Sequence, residues 1–254
     1  MMLRGSALLL SIVACTPRAP ERAPERTPAP IADAVVVAAP EVSAPPTATV
    51  PPAVGARMAE HFADAARIKN AVIDGELREV QAPARRLMDD PVHYPEAWLP
   101  YVSANANHAA ALLAARDLHA AGVAAAGLAR TCGDCHAALG VGPAFEPPHD
   151  IPTSSHHDVL RHMHRHQWAA DRMWEALIDR SEYAWMAGAA ALVDAPLSPA
   201  DLTQNVELPD DVLELGGKLH KIGALAGTAV GWSARAGLYG EFLATCAGCH
   251  QGGC

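Results

Sequence analysis

The sequence predicts an all-α fold made of two tandem units of four helices. Three observations lead there. Apolar residues recur at helical spacing, and no stretch alternates convincingly as a strand. Met58–Asp89 recurs as Met163–Asp194 at a constant offset of 105, with eleven of thirty-two positions identical. The matches include Met58/Met163, His61/His166, Ala65/Ala170, Arg67/Arg172, Ile73/Ile178 and Leu87/Leu192. Each copy then closes on the same pattern, Cys132-Gly-Asp-Cys135-His136 and Cys246-Ala-Gly-Cys249-His250.

Residues 1–14 read as an export signal. Arg4 precedes an apolar run from Ala7 to Ala14 that is too short for a stable membrane span. Ile12-Val13-Ala14-Cys15 resembles the lipobox of bacterial lipoproteins. The resemblance implies cleavage before Cys15, a lipid on that cysteine and a membrane anchor. Thr16, in place of the aspartate that retains lipoproteins at the inner membrane, favours an anchor in the outer membrane, with the periplasm or the cell surface as the location. Residues 15–55 follow as a Pro- and Ala-rich tether. Ten of the forty residues from 16 to 55 are proline, which fixes φ and removes a donor, so neither helix nor sheet is expected there.

The first unit, 56–140, reads as four helices: RMAEHFADAARIKNAVI, broken at Asp74-Gly75; ELREVQAPARRLMDD, bent or delayed at Pro83; EAWLPYVSANANHAAALLAARD; and LHAAGVAAAGLARTCGDCHAAL. Asp74 and Asp179 are candidates to cap the helix after them. Residues 141–154 form a Pro-rich linker. The second unit, 155–254, repeats the order, with about nine extra residues assigned to the loop DAPLSPADLTQNVELPDD.

Composition narrows the function. A net charge of −9 argues against nucleic acid, which wants a basic face. Only 5% of residues are aromatic and alanine is abundant, so these helices bury little apolar area unless a large apolar guest completes the core.

The two CxxCH motifs admit four readings. A disulfide between cysteines three apart closes almost no loop and stabilises little. A reactive dithiol belongs at a helix N-terminus, whereas these cysteines lie late in a helix. A zinc knuckle needs two further ligands at regular spacing, and no partner motif is evident. Haem attachment uses every residue. Two thiols one turn apart add to the vinyl groups, and the adjacent histidine meets the iron. The expectation is two covalently bound haem c groups, held by Cys132, Cys135 and His136 and by Cys246, Cys249 and His250, with His136 and His250 as proximal iron ligands.

Four helices with CxxCH late in the fourth resemble the cytochrome c′/c-556 class. That resemblance implies two tandem four-helix bundles, with the first helix of each lying across the haem face opposite the proximal histidine. Met58 and His61, and Met163 and His166, are three apart and share a helix face. His61 and His166 are the preferred distal ligands, Met58 and Met163 the alternatives, and an open iron the third case.

Other residues weigh less. His162 and His166 are four apart, a spacing that also suits zinc or copper. His220 has no counterpart in the first unit and is assigned to the surface or a cap. Arg67 and Arg172 are as well explained by solvated helix charge as by haem propionates. Cys254 is left over, as a free thiol or a link in a homodimer. The leading expectation is a membrane-tethered periplasmic electron carrier between redox partner proteins. Gas binding and a dihaem peroxidase are the alternatives. Near-symmetry of the units counts against the peroxidase, in which the two haems would differ.

Overall fold

The computed structural model describes residues 50–146, 150–152, 159–193 and 210–251. The expected export signal, Cys15, nearly all of the expected tether, most of the expected loop of the second unit and Cys254 lie outside the described residues. All described residues fall within one compact unit, Ser43–Cys254. They are helical, with no strand among them. The helices are α1 (Pro52–Ile73), α2 (Gln81–Met88), α3 (Leu99–Ala114), α4 (Leu118–Leu139), α5 (Val159–Asp179), α6 (Glu182–Val193), α7 (Asp210–Ala226) and α8 (Trp232–Gln251). No described helix is long and apolar enough to cross a membrane.

The helix ends follow local chemistry. α4 has the limits expected from the sequence. The Asp117 side chain accepts from the Ala120 amide at 2.7 Å, and Gly140 closes the helix at φ 63°. α1 ends as expected at Asp74-Gly75: with Gly75 at φ 78°, the Glu76 and Gly75 amides bond back to the Ala71 and Val72 carbonyls. Its start differs. Helix begins at Pro52, inside the expected tether, because proline fits the first helical position and Val54 is buried by Tyr94 and Trp98. α2 is delayed by the 3₁₀ turn Leu77–Val80, which leaves Pro83 in the first turn, where its missing N–H costs nothing. Neither aspartate caps as expected. Asp74 makes no cap bond, whereas Asp179 accepts from the Ser181 amide and Ser181 Oγ accepts from Ala184 at the start of α6.

In the first unit α1 packs on α2 and α4, and α3 packs on the same two helices. In the second, α5 packs on α6 and α8, and α7 packs on the same two. One hydrophobic core runs through both units, from Ile68, Val72 and Leu112 to Trp174, Trp185, Tyr239 and Phe242. The CxxCH-bearing helices α4 and α8 make the most extensive contact in the molecule. Gly122 and Gly240 permit it: a Cβ on Gly122 would meet the Gly240 carbonyl at 2.8 Å. α4 also crosses α5, and α1 crosses α8. Lys69 on α1, almost fully buried, pairs with Asp171 on α5. The described part of the linker is packed, with the Phe145 ring 5.6 Å from that of Phe62 and Ile151 against the shared core.

Candidate functional site

Helix α4 carries Cys132, Cys135 and His136 to one wall of a cavity of about 530 Å³. The opposite wall is α1, with Met58, His61, Phe62 and Ala65. Tyr101, Val102 and Asn105 of α3 and the linker residues Val141–Phe145 close the sides. Met58 packs on the Val54, Tyr94 and Trp98 cluster, so the cavity is mostly apolar. The first CxxCH motif and both of its expected distal candidates therefore border one space.

The two cysteines are unpaired. Burial pushes the Cys132 thiol up to about 12 and the Cys135 thiol up to about 11. Both are thus protonated at neutral pH, which is opposite to what a redox dithiol or a ready metal thiolate requires. The Nδ1 of His136 lies 2.9 Å from the carbonyl oxygen of Ile178, at the end of α5. Nδ1–H donates there, so Nε2 is the nitrogen left with a free lone pair. Burial also holds the imidazole below its usual value.

The carbonyl has its own support. Arg180, at φ 63°, pairs with Asp134 of α4, and its guanidinium lies 5.1 Å from the Trp232 ring centre. Gly133, between the two cysteines, lets α4 approach α5, since a Cβ there would fall 2.1 Å from the Leu177 carbonyl.

On the opposite wall, His61 Nε2 stands 3.0 Å from Asp90 Oδ2, but off the line of a hydrogen bond. Asp90 is a buried hub: it accepts from Arg57 Nε at 2.9 Å and from the Val92 amide at 3.2 Å, and it bonds Tyr94 Oη. Burial alone would raise its carboxyl, yet these donors and His61 hold it below its ordinary value. Burial lowers His61, and Asp90 only partly offsets this.

The chain matches no family model, no curated protein and no solved structure.

The second motif sits differently. Cys246 is buried, Cys249 is partly buried and His250 is exposed. Burial raises the Cys246 thiol to about 12. Its neighbour Gln251 donates to the Gly75 carbonyl at 3.3 Å, so the ends of α4 and α8 each touch the end of the other unit's first helix. His166 does not face an isolated pocket. It meets His162 and His220, with ring centres 4.2 and 5.4 Å away. His220 caps a helix, as one of its two expected places: its Nδ1 bonds the Leu192 carbonyl in the last turn of α6, and its ring also faces α5.

Arg67 pairs with Asp64 at 2.7 Å and Arg172 with Glu175 at 2.6 Å, each one helical turn along its own helix. Sequence reading missed Asp90, Asn105, the Ile178 carbonyl and the meeting of His220 with His162 and His166. Asp90 lies one residue past the repeated segment, and the other three act through contacts between helices, so repeat and motif analysis carried no signal for them.

Proposed function

We propose that this protein is a membrane-tethered dihaem c-type cytochrome that passes single electrons between redox partners outside the cytoplasm, with each unit folding as a four-helix bundle around one haem. The observation that carries the reading is the first cavity. Two unpaired cysteines one turn apart and a histidine with an open Nε2 share one wall of a largely apolar space of about 530 Å³. The donor set fits haem c: two protonated thiols to add across two vinyl groups, and an imidazole whose other nitrogen is tied to a carbonyl, as metal-bound histidines usually are. Cys132, Cys135 and His136 would hold the first haem, and Cys246, Cys249 and His250 the second. Haem, when bound, supplies one-electron exchange at its iron. The chain would orient the His136 imidazole through Ile178, cover the group with Val102 and Phe145, and offer it a further ligand from α1.

The contacts favour Met58 over His61 as that ligand. His61 Nε2 is turned to Asp90, whereas Met58 borders the same cavity and packs on the Val54, Tyr94 and Trp98 cluster. A thioether axial ligand raises the potential relative to a second imidazole. One observation favours gas binding as a second reading. If Met58 stays off the iron, His61 and Asp90, which line the cavity, would provide polar groups for a bound diatomic.

Haem counting tests the proposal. The purified full chain, matured with haem, is expected to carry two haems per polypeptide by pyridine haemochrome assay. Cys132→Ser with Cys135→Ser, and Cys246→Ser with Cys249→Ser, should each leave one. A haem-free protein, or a count unaffected by these substitutions, refutes it. Low-spin spectra indifferent to carbon monoxide support the carrier reading, and a high-spin iron that takes carbon monoxide supports the other.

A further inference from the structure

We propose that His162, His166 and His220 form a binding site for one divalent late transition-metal ion, of the zinc or copper type, separate from the haem irons. One ring nitrogen from each residue lies within 4.8 Å of the other two. His162 and His166 stand one turn apart on α5, and His220 reaches across from α7. The three rings form a closed triangle, with centres 4.2, 5.4 and 5.4 Å apart.

Two features separate this cluster from a chance meeting of histidines. The Nδ1 of His162 and the Nε2 of His166 are buried and make no hydrogen bond. Buried ring nitrogens without a partner are destabilising, and a metal ion would satisfy both. His220 is already arranged as a ligand. Its Nδ1 is committed to the Leu192 carbonyl, which fixes the tautomer and leaves Nε2 open, the carbonyl support commonly found behind metal-bound histidine. The Arg165 guanidinium donates to the carbonyls of Ala191 and Pro152.

Three imidazoles suit zinc or copper and are poor ligands for calcium or magnesium, which want oxygen. Ligand nitrogens of a tetrahedral zinc site lie about 3.4 Å apart, so binding would draw α7 slightly towards α5. Since His166 Nε2 can serve only one metal, the sixth position of a second haem then falls to Met163 or stays open.

The test uses the full-length, tag-free, haem-loaded protein after chelation, titrated with Zn²⁺ by calorimetry. The expected result is one saturable equivalent, a rise in the unfolding midpoint on binding and an unchanged haem spectrum. His220→Ala should weaken zinc at least tenfold, abolish the rise in midpoint and leave the haem spectrum as in wild type. His220→Gln, with far-UV circular dichroism of both variants, separates ligand loss from misfolding. Absence of a saturable equivalent, or binding indifferent to His220, overturns the proposal. So does His166→Ala converting one haem from low to high spin, which would assign His166 to iron while leaving the dihaem reading intact. A failed haem count would defeat that reading without touching the zinc result.

Discussion

The imidazole of His136 in the first unit is hydrogen-bonded through Nδ1 to the backbone carbonyl of Ile178 in the second, at 2.9 Å. The chemistry of the first motif thus depends on where α5 ends. Arg180 holds that end by its pairing with Asp134 and its position over Trp232. Arg180→Ala is expected to lower stability by about 1–3 kcal/mol through loss of charged hydrogen bonds. On the proposed dihaem reading it should also broaden the electron paramagnetic signal of the first haem, as the His136 ring loses its fixed orientation. Denaturant unfolding and spectroscopy of the same sample check both effects.

Met58 and His61 separate cleanly by substitution. If the protein carries haem as proposed, Met58→Ala should convert the first one from low to high spin. His61→Ala should leave it low-spin and instead disturb the Asp90 cluster. The reverse pattern in the optical spectra would return the ligand role to His61.

Two glycines on equivalent helices should respond with opposite sign. In Gly133→Ala the new Cβ would fall 2.1 Å from the Leu177 carbonyl, so α4 and α5 must part. A loss of about 1–3 kcal/mol or more is expected. Gly237 is exposed on α8 and a Cβ there meets nothing within 4 Å, so Gly237→Ala should gain about 0.5–1 kcal/mol from helix propensity. Thermal or denaturant midpoints of the pair give the comparison.

Asp64 contributes to the acid limb of stability. Burial alone would raise its carboxyl, but Arg86 and Arg67 outweigh that and hold it below the ordinary value. A group depressed in the folded state stabilises above its unfolded pKa, and that share is lost as pH falls through the folded one. Wild type should therefore lose stability below about pH 4. Asp64→Asn should be less stable at neutral pH and show a flatter decline on acidification, measured as unfolding free energy against pH.

How far the sequence foretold this arrangement depended on whether the signal was local. The limits of α4 were legible because Asp117 and Gly140 act within one turn of their own helix. The early start of α1 was hidden, because Pro51 and Pro52 look like more tether until the burial of Val54 by Tyr94 and Trp98 is known. Met58, His61, Cys132, Cys135 and His136 were legible through repetition and spacing, and the fold brings all five to one cavity. His220 was not. It has no counterpart in the first unit, and its partners lie on another helix. The Asp90 hub was invisible for the same reason: Arg57, His61 and Tyr94 converge on it only once α1 has packed against the chain after α2.

The face that α4 turns towards α8 includes Gly122 and Val123, which lie against Gly240, with Leu243 and Ala244 beside Gly122. A chain consisting of one unit would leave that face bare, and its best cover would be the matching face of a second copy. Such a pairing would dissolve on dilution, because association depends on protomer concentration. By carrying both copies on one polypeptide, this protein turns a subunit interface into an interior contact that persists at any expression level.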